Sequence, residues 1–256
     1  MAKKTIDKLQ KAAILEARKM MAEAERLDCN EAETRRRIER IFESVMGYDA
    51  LKHLSREQAI RGAGETEHAD FVIYPTEGKH TTSNIIVEIK RITVDLAPKH
   101  LKQASSYAID SGYEWVLLTN GKEWKLYHIT FGKPPITKLI YSWNLLNDEI
   151  FHLAERFELI SLKQVKKGAL ANLWERTNVL HPQNLLKTIL SDPCMKILRK
   201  ELKKDSNIAL APEEILLGVK RLLNESALTE LGNVKICWEG NTTPRKVAKP
   251  KKTENK

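Results

Sequence analysis

Apolar residues recur at helical spacing from the start of the chain. Ile6, Leu9, Ala13, Ala17 and Met20 predict one long helix over 5–27. The polar triplet Asp28-Cys29-Asn30 interrupts it. Asn30 suits an N-cap, and Glu33 three residues later predicts a capping box. Ile38, Ile41, Phe42 and Val45 then form a single apolar stripe, which Gly47 ends. Beyond Gly47 the period falls to two. "EQAIR" at 57–61 is a candidate strand. "HADFVIYP" sets Phe71 and Ile73 on one face and Asp70, Val72 and Tyr74 on the other. Pro75 and Gly78 begin a turn. "SNIIVEIKR" is the next strand, and a helix is predicted over roughly 97–110. "EWVLLTNGKEWKLYHIT" reads as two strands joined at Asn120-Gly121, and "ITKLIYSW" as an edge strand.

From residue 148 to about 231 the pattern is helical, with Pro212 at a favoured first helical position. The end, "NTTPRKVAKPKKTENK", is almost devoid of apolar residues and is expected to lack a fold. The resulting division is an N-terminal helix (1–28), an α/β domain (29–147), a helical subdomain (148–232) and a basic tail (233–256). No stretch approaches the ~18 apolar residues that a membrane span needs. Three cysteines, Cys29, Cys194 and Cys237, fit neither a zinc spacing nor a disulfide framework, which points to a reducing cytoplasm.

Charge adds a weak hint. The net charge is +9, and Arg245–Lys256 supplies +5 of it through six basic residues and one acid. A polyanion partner and a merely solvated tail both fit this distribution. The five tryptophans are most simply core or interface residues. The seven histidines form no H-x-x-x-H pattern, Ser105-Ser106 is not in a nucleophile-elbow setting, and no G-x-x-x-x-G-K-[ST] phosphate loop occurs.

The strand "NIIVEIKR" carries the chemistry. Glu88 and Lys90 share a face opposite Ile85, Val87 and Ile89. If the preceding strand pairs with it, Asp70 and Glu88 converge at the sheet end. Two carboxylates and a strand carbonyl, that of Ile89, form a hard oxygen site suited to Mg²⁺, with Mn²⁺ as the substitute. Such an ion activates water and stabilises charge on a phosphodiester, and Lys90 is placed to assist. Taken alone, D…E-x-K is short and common, and a strand salt bridge explains it more simply. Glu31 lies seven residues before Ile38, near the apolar face, and is either a third acid of the site or a complement to the helix dipole. Gln103 and Tyr107 lie four apart on one helix face, from which both can hydrogen-bond towards the preceding strand.

These residues carry a family resemblance. The order αβββαβ is that of the PD-(D/E)xK nucleases. "NEAETRRRI…GYD", "ADFVIY", "IIVEIKR", "LKQASSYA" and "VLLTNGKEWKLY", within about 29–145, resemble the N-terminal nuclease domain of type I restriction enzyme R subunits. The resemblance implies metal binding by Asp70 and Glu88, catalysis by Lys90 and an upstream helix acid at Glu31. It also implies a Q-x-x-x-Y pair at Gln103 and Tyr107 that supports the site and contacts DNA, a role expected of Arg91 as well. Ala69 stands where the superfamily name has proline, and these 256 residues contain no helicase motor motif.

The expected fold is therefore α/β, a restriction-endonuclease-like core with a mixed sheet, an N-terminal helix and a C-terminal helical subdomain. The expected function is a magnesium-dependent DNA endonuclease of host defence or mobile-element biology. The alternative is a nucleic-acid- or partner-binding module that keeps the fold without cleaving. The helical subdomain leaves room for a homodimer or for protein partners.

Overall fold

A computed structural model describes residues 6–61, 66–76, 81 and 83–222. The basic tail with Cys237, and Gly78 of the predicted turn, lie outside these. Two compact units divide the chain, 1–174 and 175–256. Among the described residues no helix is long and apolar enough to cross a membrane.

The first unit is built on a sheet of six strands in sequence order. Helix α1 (Lys8–Arg26) and helix α2 (Glu31–Ser44) come first, then a short α3 (Ala50–His53). Strands β1 (Leu54–Arg61), β2 (Thr66–Ile73) and β3 (Ile85–Ile89) follow. Helix α4 (Pro98–Ser111) crosses over to β4 (Trp115–Thr119), and β5 (Glu123–Thr130) and β6 (Ile136–Asn144) complete the sheet. Only β3 and β4 run parallel. A parallel neighbour requires a crossover of a dozen or more residues, which α4 supplies. The fold is the expected α/β class with a mixed sheet.

Alternation in the strands creates two cores. Phe71, Ile73, Ile85, Val87, Ile89, Leu117 and Trp124 face α1 and α2, meeting Ile14, Met21, Ile38, Ile41 and Phe42. Phe42 packs edge-on to Phe71 and Trp124, with ring centroids 6.1 Å apart in each case. On the other face Val72, Tyr74, Ile86 and Val116 meet Ala104, Tyr107 and Ala108 of α4. α2 begins as predicted, with Asn30 Oδ1 accepting from Glu33 N at 2.9 Å. The Glu33 carboxylate instead accepts from the Cys29 thiol and from Arg37, 3.1 Å away.

The helical segment after residue 147 does not start a separate unit. Helices α5 (Ile150–Leu159), α6 (Leu162–Lys166) and the start of α7 (Ala169–Val179) belong to the first core. They contribute Leu153, Phe157, Ile160, Val165 and Leu170. Phe157 stands edge-on to Trp124 and Trp143, which stack on each other. Tyr48 Oη donates to Ile160 O at 2.8 Å. The compact unit therefore ends at Trp174 rather than at 147. In the second unit α8 (Pro182–Ile189), α9 (Asp192–Ser206) and α10 (Pro212–Leu222) enclose a small core of Leu186, Leu190, Met195 and Ile215.

Candidate active site

The site forms where a ladder stops. β2 and β3 pair at Ile73–Ile85, Val72–Ile86 and Phe71–Val87, and the described pairing ends there. The next residues in register are Asp70 and Glu88, so the two carboxylates face each other at the fork. β1 and β2 remain paired further, to Arg61–Thr66. The Ile89 amide at the fork donates to Asp70 Oδ2 at 2.7 Å. Asp70 thus takes up a strand donor and is locked beside β3.

Three cationic or polar groups complete the cluster. Lys90 Nζ lies 2.6 Å from Glu88 Oε1. Arg35, from the second turn of α2, forms an ion pair with Asp70 Oδ1. The same guanidinium lies 3.9 Å from Glu31 Oε1. From α4, His100 brings its ring within electrostatic range of Lys90 and Glu31, its Nδ1 accepting from Ala97 N at 3.2 Å. Burial lowers the His100 pKa, the charges of Lys90 and Lys99 add to this, and Glu31 opposes it.

Burial dominates the acids. Glu88 is 2% exposed. Its carboxyl is pushed up to about 7, first by desolvation and then by the nearby charges of Asp70 and Glu31, against the pull of Lys90. Asp70 is also raised by burial, although the Ile89 amide and Arg35 oppose the shift. Burial alone would lower Lys90, but its hydrogen bond to Glu88 and the charges of Glu88, Glu31 and Asp70 outweigh this and raise it. Glu88 Oε2 is buried with no hydrogen-bond partner. A buried anionic oxygen without a donor costs a few kcal/mol. This hard donor, beside a second carboxylate, suits a hard divalent cation. Among the described residues no group of three or more His, Cys, Asp or Glu is arranged to hold a metal. With Arg35 on Asp70 and Lys90 on Glu88, the acids are held by cations of the protein itself.

The fold brings Asp70, Glu88, Lys90 and Ile89 together, with Glu31 joined to them through Arg35. Glu31 itself is only half-buried. Gln103 and Tyr107 share a face of α4, but Gln103 Nε2 donates to Tyr107 Oη at 2.9 Å instead of reaching the strand. Tyr107 is buried in the second core. Arg91 is turned away from the acids and pairs with Asp28 in the α1–α2 turn, where Thr93 Oγ1 also donates to Asp28 Oδ1 at 3.1 Å. Arg35 and His100 escape the sequence reading. Each had a signal: Arg35 lies four residues after Glu31 and His100 three before Gln103, on the faces already singled out.

No curated protein and no solved structure matches the chain. Residues 30–139, which hold every element of this site, match the family model described as type I restriction enzyme R protein N terminus, and this segment resembles the N-terminal nuclease domain of those subunits.

Proposed function

We propose that the protein is a metal-dependent DNA endonuclease that hydrolyses phosphodiester bonds. The observation that carries this reading is Glu88: a 2% exposed carboxylate with one oxygen on Lys90 and the other without a partner, in register with Asp70. A buried carboxylate oxygen is seldom left bare, and a bound cation is one explanation of it. Asp70, Glu88, the Ile89 carbonyl and Glu31 would hold a magnesium or manganese ion. Such an ion supplies Lewis acidity for the scissile phosphate and a bound water of lowered pKa. The chain's own residues do the rest. Glu88 fixes the Lys90 ammonium by a charge-assisted hydrogen bond, so that one N–H points at the reacting centre without reorganisation. Lys90 orients the attacking water and neutralises the charge that develops on the phosphate. The Ile89 amide keeps Asp70 from rotating away. DNA is the substrate that the restriction-enzyme match favours.

The test is plasmid nicking in Mg²⁺ by wild type and Lys90→Ala, with DNA binding measured in Ca²⁺. Loss of a transition-state charge contact is expected to slow cleavage by about 10²–10³, with binding changed little. Equal cutting by both proteins would remove Lys90 from the chemistry. Binding by both with no cutting of supercoiled, linear or single-stranded DNA would favour a module that has kept the fold and lost cleavage.

A further inference from the structure

We propose that Arg35 is the resident counter-ion of the acidic cluster and competes with the divalent cation for Asp70, so that metal loading displaces its guanidinium from the site. The inference rests on the metal-dependent reading above and adds to it a residue that controls loading.

The geometry singles out Arg35. Both oxygens of Asp70 are taken: Oδ2 by the Ile89 amide at 2.7 Å and Oδ1 by Arg35. The first bond belongs to the sheet backbone and has no freedom to open. The second is made by a long side chain rooted on another element, with 26% of its side-chain surface exposed, and is the one that can leave. Lys90 is less suited to leave, being 17% exposed and bonded to the buried Glu88 at 2.6 Å. Arg35 also cannot withdraw by losing its proton, because a guanidinium stays charged throughout the accessible pH range.

Charge balance points the same way. Among the described residues of the cluster, Glu31, Asp70 and Glu88 face two cations, Arg35 and Lys90. When the acids are ionised, adding a divalent ion and keeping both cations leaves the cluster with excess positive charge at a partly buried site. Exchanging Arg35 for the ion leaves it balanced. Asp70 Oδ1 would be freed one register step beyond Phe71–Val87, at the position opposite Glu88, whose Oε2 is bare. One departure therefore provides two anionic oxygens.

The experiment is calorimetric titration of the full chain with Mn²⁺ for wild type, Arg35→Gln and Arg35→Lys, beside melting in EDTA. Removing the competitor is expected to tighten Mn²⁺ binding roughly tenfold in Arg35→Gln, an ordinary size for coupling between two binding events. The same variant should melt lower in EDTA, where Asp70 has lost its partner. Arg35→Lys, a shorter cation without the fork, should fall between the two in Mn²⁺ affinity. In isotope-labelled wild type, Mg²⁺ should shift the Arg35 Nε–H resonance, identified by its absence from Arg35→Lys. That measurement needs no variant but the lysine one, should Arg35→Gln not fold. Equal or weaker Mn²⁺ binding by the variants while wild type binds, or an unmoved resonance, would overturn the proposal and leave Arg35 a structural ion pair between α2 and β2. Absence of Mn²⁺ binding in all three would instead overturn the metal-dependent reading itself.

Discussion

At the scale of single residues, Glu88 couples stability to pH. Its carboxyl has a folded pKa of about 7 against 4.5 in an unstructured chain. Between those values the folded state keeps a proton that the unfolded state has released, so stability falls as pH rises through that window and levels off above it. At 1.36 kcal/mol per unit the interval amounts to about 3 kcal/mol for this nearly fully buried group. In EDTA, the melting temperature of Glu88→Gln relative to wild type should therefore rise from pH 5 to about pH 7 and then level off; a constant difference from pH 5 to pH 8 would contradict the assignment. Asp70, Glu88 and Lys90 were legible because strand alternation fixes their faces and a plausible pairing brings them into register. Arg35 and His100 were not. An arginine or histidine on a helix reads as solvated unless its target is known, and the target here depends on where a ladder between distant segments stops. The pairing of Arg91 with Asp28 went unread for the related reason that Asp28 lies in a turn with no periodicity to place it.

Among the elements, the turn after β4 fixes the loop that leaves the site. Asn120 is fully buried, and its Oδ1 accepts from Lys122 N at 3.2 Å and Glu123 N at 2.8 Å. Its Nδ2 donates to Val94 O at 2.9 Å, which ties the segment following Lys90 to the hairpin. Asn120→Ala strips these partners and should destabilise the first unit by about 2–4 kcal/mol, since buried backbone groups are left unpaired. Asn120→Asp keeps the two acceptor bonds and should cost less; equal losses for both in urea unfolding would mean that the Val94 bond dominates. The Asn-Gly pair announced this hairpin correctly, yet the loop has three residues, Asn120–Lys122, and Gly121 at φ +87° provides the left-handed step. A Cβ on Gly121 would lie 2.1 Å from the Met21 Cε, so a larger residue there would push the end of that side chain aside. Helix α3 went unread because four residues are too few to show a period, although Asp49 caps it through Leu51 N at 3.0 Å. β1 begins at Leu54, three residues before the predicted strand, since it continues directly from α3.

For the molecule as a whole, periodicity told helix from strand after residue 147 but not which core the helices serve. Phe157 closes over Trp124 and Trp143, a contact that only the folded sheet defines. A chain cut at 147 exposes that stack and is expected to aggregate, whereas a chain cut at 174 should melt cooperatively; gel filtration and thermal melts of the two distinguish them. The tail is a separate matter, because its contribution is electrostatic and independent of packing. Arg245–Lys256 carries +5 of the net +9 with Val247 and Ala248 as its only aliphatic side chains apart from Pro250. It has little to bury, so its deletion should leave the melting temperature of the full chain unchanged. Each lysine or arginine that neutralises a phosphate contributes about 0.9 to the slope of log K against log salt on duplex DNA. If the tail rides on the DNA backbone, deleting it lowers that slope by up to ~5 and weakens binding most at low ionic strength, while at high salt the two proteins converge. The proposed cleavage, which would depend on the fork between β2 and β3, should persist at saturating DNA. Parallel salt titrations of the two chains on one duplex measure this directly, and identical slopes would show the tail to be solvated and without a role in binding.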